Sequence, residues 1–375
     1  MSTTLQTEQR LWRELAARGA VQGECPEHSH APWAVRCLMG AAGWLGALFF
    51  QMFLVGTVFV AARENGVAMA VTGLAMIALA ALLYWRGGGI AASQFALAVS
   101  LCGQGMAVYG LVEALGSLGF KRVAETAGFW AGIALFEGAL VVLVPNRLHR
   151  LLSGLGVWIG LAGAVHFGLP RGATDDWLAL TWSLGWLAPL GCALVAGFTL
   201  AEARACAAGR HALLEPLADA TLLAALAMAL VVTGMSHPMA WLFEPEAGRL
   251  SFAHWIGGAL LTLVLAGFAL AECRRLAVGS AMQAAVLAGT LAFGALMAAA
   301  PAVVAGALAL ALALRRASMA WMGLGIAAIA IGFVWYYSAL HWTLLAKSVT
   351  LAAAGALLLA GRYWLLRGRT GKEFA

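Results

Sequence analysis

Apolar runs of about 20 residues recur from residue 34 to residue 366, broken by short segments that hold most of the charge. No soluble core of this size can hide so many such runs from water, so the solvent they expect is lipid. Only 11% of the 375 residues are charged and 63% are hydrophobic, where a soluble domain carries about 25% charge. The runs are continuous and do not alternate in blocks of about 10, which points to helices and away from a β-barrel. The 45 glycines let helix backbones approach closely in a bilayer. The expected fold is therefore an all-α polytopic bundle of about twelve spans, near 34–62, 66–85, 89–115, 126–145, 151–169, 177–201, 216–235, 252–271, 281–299, 302–314, 318–338 and 342–366. The tenth is short, and Pro301 before it suggests that the ninth and tenth form a tight hairpin.

The charges orient these spans. With the N-terminus inside, the loops on that side hold Arg10, Arg13, Arg18, Arg36, Arg86, Arg147, Arg150, Arg204, Arg210, Arg274, Arg275, Arg315, Arg316, Arg362, Arg367, Arg369 and Lys372. The opposite loops hold only Arg63, Lys121, Arg122, Arg171 and Arg249, and Lys347 lies within a span. Positive loops stay in the cytoplasm, so both termini are expected inside. The same rule explains the net charge of +6 without nucleic acid, and no nucleic-acid partner is expected.

Residues 1–33 read as a cytoplasmic amphipathic helix and linker, 34–367 as the transmembrane domain and 368–375 as a cytoplasmic tail. In LQTEQRLWRELAAR, Leu5, Trp12, Leu15 and Ala16 share one helical face, as in a helix lying on a membrane surface. No apolar segment follows a short basic start there, so the first span is expected to direct insertion. GFTLAEAR at 197–204 recurs as GFALAECR at 267–274, each closing an outside-to-inside span. Arg204 and Arg274 suit the negative end of a helix dipole, but Glu202 and Glu272 do not and should pair with arginines.

Charges at membrane depth are costly and mark sites by default. Glu113 stands near the outer end of the third span, Glu137 near the middle of the fourth, and Lys347 about 9 Å into the twelfth. Lys347 can snorkel to the headgroups, pair with Glu113 or work in a cavity. Glu137 is too deep to snorkel and serves either as a buried hydrogen-bonding group or as a proton or ligand site. Gln104 sits mid-span between glycines that admit a neighbouring helix or a small ligand.

The outer loops are rich in aromatic groups, which an interfacial belt explains, and in His237, Glu244 and His254, which it does not. Haem or metal ligation by His237, His254 and His341 finds no support in helical i, i+4 spacing, so no cofactor and no metal are expected. The six cysteines are scattered without a CxxC. Nucleotide and nucleophile-elbow motifs are missing, and the GGG at 87–89 is a loop between spans.

The stretch at 300–362, ending in VWYYSALHWTLLAKSVTLAAAGALLLAGR, resembles uncharacterised bacterial multi-pass inner-membrane proteins grouped as a domain of unknown function, number 4401. Tyr336, Tyr337, Thr343, Leu344, Leu345, Lys347, Ser348, Leu351 and Gly355 carry the likeness, and VPNRLHRLLS at 144–153 is similar to that family's cytoplasmic turn. Gln104 in its Gly-Gln helix and the N-terminal LWRELAARGAV resemble a related uncharacterised family. The resemblance implies a specific contact for Lys347. It also implies a small membrane-anchored partner protein bearing Gly-Asp-Tyr-x-x-Leu-x-Tyr.

Three functional classes follow. The leading expectation is a partner-dependent membrane-complex subunit or scaffold, with a periplasm-facing pocket of Lys347, Glu113, Tyr337, His341, Trp342 and Gln104. The alternative is a proton-coupled secondary transporter that uses Glu137. The third is an enzyme on lipid-linked substrates with His237, Glu244 and His341 as acid/base groups; no paired catalytic motif supports it, so enzymatic activity is not the expectation.

Overall fold

A computed structural model describes residues 2–19, 33–54, 65–169, 176–234 and 253–339, with isolated positions between them. Every long regular element among these residues is an α-helix: α1 (Ser2–Ala17), α2 (Trp33–Leu54), α3 (Gly66–Arg86), α4 (Ile90–Ser117), α5 (Ala127–Leu143), α6 (Arg147–Gly168), α7 (Asp176–Ala207), α8 (His211–Gly234), α9 (Ala253–Arg275), α10 (Ser280–Leu296), α11 (Pro301–Arg316) and α12 (Met319–Ala339). Eight of the described helices are long and apolar enough to cross a bilayer: α2, α3, α4, α6, α7, α8, α9 and α12. The chain is a multi-pass membrane protein. Helices α2 to α12 coincide with the first eleven expected spans; the twelfth, at 342–366, lies outside the described residues.

Local chemistry sets the helix ends. The Thr126 hydroxyl accepts from Phe129 N at the start of α5, and Asn146 Oδ1 accepts from His149 N at 2.9 Å at the start of α6. Pro301 opens α11, where its missing N–H costs nothing. Ala317 follows that helix in the left-handed region with φ 51°, a conformation that ends a helix even without glycine.

The chain forms two compact units, residues 1–63 with 73–105, and 64–72 with 106–375. In the first, α2 lies along α4. A Cβ at Gly43 would run into the Ala91 carbonyl oxygen, so glycine permits the approach. Trp44 Nε1 donates to Gln94 Oε1 at 3.1 Å, and Gln51 Nε2 donates to the Ala98 carbonyl at 3.1 Å. These bonds satisfy polar groups that lipid would leave bare. The other face of α2 carries exposed Leu38, Phe49 and Met52, as lipid contact requires.

In the second unit, α5 and α6 form a close hairpin. A Cβ at Gly160 would press on the Ala134 backbone, and one at Gly163 on the Trp130 ring. Helix α8 packs on α6 and α7, and Trp158 of α6 donates through Nε1 to Thr221 Oγ1 at 3.1 Å inside that contact. Helix α11 is the most enclosed element, buried continuously from Pro301 to Gly306 and again at Leu308, Ala309, Leu312 and Ala313. Its first turn is tied to α8, where Thr233 Oγ1 accepts from Ala302 N at 3.0 Å. With 16 residues it is about 24 Å long, short of a hydrocarbon core of about 30 Å. Helices on several sides, not lipid, surround it, so its ends need not reach the headgroups.

Candidate functional site

Five helix ends in the second unit meet around one charged cavity of about 420 Å³: the starts of α6, α8 and α12 and the finishes of α7 and α11. The sequence places His211, Glu215 and Asp219 four residues apart on α8, so they share one face. Arg147, at the start of α6, sends one guanidinium nitrogen to Glu215 Oε1 at 3.1 Å and to Asp219 Oδ2 at 3.2 Å. Trp321 Nε1 donates to the other Asp219 oxygen at 2.8 Å. Arg316 donates to Glu202 Oε1 at 2.9 Å, and its guanidinium lies 4.4 Å above the centre of the Trp321 ring. His211 sits between two carboxylates, 3.5 Å from Glu202 and 3.9 Å from Glu215.

The two repeat glutamates do equivalent work. Glu202, near the end of α7, holds Arg316; Glu272, near the end of α9, holds Arg315 and also Arg275. The repeated LAE segments thus grip consecutive arginines at the foot of α11. Neither glutamate is seen paired with the arginine of its own repeat. Arg150 adds a further tie, donating to the Val141 carbonyl at the end of α5 and to the Ala212 carbonyl at the start of α8, each at 3.0 Å.

A second polar place lies within the α5–α6 hairpin. Glu137 is 7% exposed, and its Oε2 has no hydrogen-bond partner. Gly156 stands opposite it: a Cβ there would come within 2.8 Å of Glu137 Cγ. Ser153, one turn away on the same helix, is 2% exposed, and its hydroxyl approaches the Glu137 carboxyl. His149, fully buried, continues this stripe toward the charged end at Arg147.

The family model described as Domain of unknown function (DUF4401) matches residues 32–368. The chain belongs to the DUF4401 family. No curated protein and no solved structure matches it.

In this DUF4401 protein the residues expected from sequence to form an outer pocket are only partly placed. Glu113 is exposed on α4, its Cβ beside Gly66, and makes no ion pair among the described residues. Gln104 reaches Ser100 Oγ of its own helix at 3.5 Å. Tyr337 stacks on Phe333 with centroids 6.1 Å apart. Lys347, His341, Trp342, His237 and Glu244 lie outside the described residues, as does the side chain of His254, whose backbone begins α9. Among the described residues no group of His, Cys, Asp and Glu is placed to hold a metal ion.

No sequence motif marks the charged cavity, and Arg147 and Arg316 stand in the sequence only as orienting charges. One signal was legible: HALLEPLAD sets three ionisable groups on a single helical face at a span's end. That α12 would bring Trp321 to that face had no local signal.

Proposed function

We propose that this DUF4401 protein is a secondary transporter of the bacterial inner membrane, coupled to a proton carried on Glu137. The observation that supports it is the setting of that side chain, nearly fully buried, with one carboxyl oxygen left without a hydrogen bond and a glycine opposite to make room. Buried polar groups generally have their hydrogen bonds made, so a carboxyl oxygen left without one calls for an explanation, and a bound proton is one. An unpaired carboxylate at that depth costs several kcal/mol, and a proton removes that cost. The stripe of Ser153 and His149 supplies polar groups from Glu137 toward the arginine-rich face, which the positive-inside rule assigns to the cytoplasm.

The test uses proteoliposomes that enclose pyranine and carry an imposed pH gradient. Pools of amines, amino acids and organic acids are added in turn. At least one pool should move protons through the wild type, and Glu137→Gln, which keeps the shape and loses the titration, should not respond. A well-folded Gln variant that moves protons as the wild type does, or a wild type silent to every pool, overturns the reading.

A second reading has a specific support: the family match runs through the Lys347-Ser348 segment. On that reading the chain is a complex subunit, and Lys347 with Glu113 receives a carboxylate of a small membrane-anchored partner bearing Gly-Asp-Tyr-x-x-Leu-x-Tyr. Lys347→Ala should lose the partner on co-purification, and adding Glu113→Ala should restore stability but not binding. Undiminished co-purification with Lys347→Ala ends it.

A further inference from the structure

We infer that a proton reaches Glu137 from the arginine-rich end of the α5–α6 hairpin by way of His149 and Ser153, which form the relay for that carboxyl. The relay rests on the reading of Glu137 as a proton carrier and adds its route.

The register of α6 aligns the three groups. His149, Ser153, Gly156 and Gly160 follow one another at intervals of four, three and four residues, so they fall on one line of the helix. That line meets α5: Gly156 lies against the Glu137 side chain and Gly160 against the Ala134 backbone. At 1.5 Å per residue, His149 is about 10 Å from the level of Gly156, and Ser153 stands roughly midway. Leu140, Val141 and Val144, at the end of α5 and just beyond it, are all buried.

The Ser153 hydroxyl is turned to a side chain and not to its own helix. Buried Thr199, Thr233 and Thr262 each donate to the carbonyl four residues back, the ordinary use of a hydroxyl inside a helix. Ser153 is as buried as they are, yet its hydroxyl makes no hydrogen bond to the preceding turn and approaches the Glu137 carboxyl across the hairpin.

His149 lies where a proton can enter this line. It is fully buried in the first turn of α6, a turn fixed by the bond from His149 N to Asn146 Oδ1. Around it Arg147 holds Glu215 and Asp219 of α8, and Arg150 holds the Val141 and Ala212 carbonyls. His211 stands on α8 between Glu202 and Glu215. A guanidinium does not give up its proton, and the other titratable groups are on α7 and α8. On α6 the imidazole is the group able to pass a proton on. It takes up one proton and, as imidazolium, gives one to Ser153 Oγ while the Ser153 hydrogen passes to Glu137. One proton enters and one is delivered, and the imidazole and the hydroxyl end neutral as they began.

The full chain is reconstituted in lipid films and followed by infrared spectroscopy as H2O buffer is replaced by D2O. The carboxylic C=O band that Glu137→Gln lacks is that of Glu137, and its shift on deuteration times the arrival of a proton. Ser153→Ala and His149→Phe should each slow that shift about tenfold or more, the scale on which placed proton-transfer groups act. Thr199→Ala, which removes a hydroxyl bonded within its own helix, should leave it unchanged. A variant that only loosened the hairpin would speed the shift, together with the amide exchange recorded in the same spectra, so slowing is not a packing effect. Should His149→Phe fail to fold, His149→Gln takes its place.

The relay is overturned if a folded variant at either position exchanges as fast as the wild type or faster, or if Glu137→Gln removes no band. Relay and transport fail separately. Proton flux that depends on Glu137, with a shift that neither variant slows, strikes the relay alone; a slowed shift in a protein silent to every solute pool strikes transport alone.

Discussion

Arg316 and Glu202 meet at 2.9 Å across 114 residues of chain, joining the finish of α11 to the finish of α7. The Arg316 side chain is 13% exposed and its guanidinium also covers the Trp321 ring, whereas the Glu202 side chain is 33% exposed. The pair is therefore neither a fully solvated surface contact nor a dry one, and its value lies between the two limits. Arg316→Ala should destabilise the protein by about 1–3 kcal/mol, measured as a lower Tm in detergent. Arg316→Lys should recover part of that loss, because an ammonium keeps the charge but not the planar stack on Trp321. A Tm unchanged by Arg316→Ala would make the pair incidental.

Gly156 and Glu137 offer a packing test. The Cβ of Gly156→Ala would press on the Glu137 side chain, since the nearest atom lies at 2.8 Å. Overpacking of this kind costs about 1–3 kcal/mol. Glu137→Ala in the same chain removes the obstructing atoms and should restore most of the lost stability. Equal Tm losses for the single and double variants would mean that the two residues do not meet.

Trp158 and Thr221 test the buried polar contact between α6 and α8. Trp158→Phe removes the Nε1 donor and leaves the Thr221 hydroxyl short of it, a loss of about 1–2 kcal/mol. Adding Thr221→Val, which replaces the hydroxyl by a methyl, should return a measurable fraction of that stability. The comparison requires both variants in one double-mutant cycle, read by chemical denaturation or Tm.

Orientation is open to reporter fusions. Sites at 148 and 207, beside Arg147 and Arg204, should report cytoplasm, and sites at 175 and 246 should report periplasm. Cytoplasmic signal at 246 would break the charge alternation from which the orientation is argued.

Much of the architecture was legible because a membrane span is a local object. A helix in lipid must satisfy its backbone within itself and be apolar along its whole length, so a window of about 20 residues carries the information. The eleven helices that follow α1 fall where the runs from Trp33 to Ala339 lie for this reason. The charges of Glu202 and Glu272 were equally legible as in need of partners, since an acid at the negative end of a helix cannot stand alone.

The identity of the partners was decided only by tertiary structure. Glu202 chose Arg316 over Arg204, two residues away, and Glu272 chose Arg315 and Arg275. Sequence also left open that α11, shorter than a bilayer, would be enclosed by other helices, or that Gly156 would face Glu137. In lipid the apolar faces of helices are not driven together by water, so hydrophobicity along the chain does not say which helix neighbours which. Shape does: glycines allow contact only where a partner surface fits them, and that fit exists only between helices already folded. The cavity at Arg147, Glu215 and Trp321 is the product of such a fit among five helix ends, and no one of them contains it.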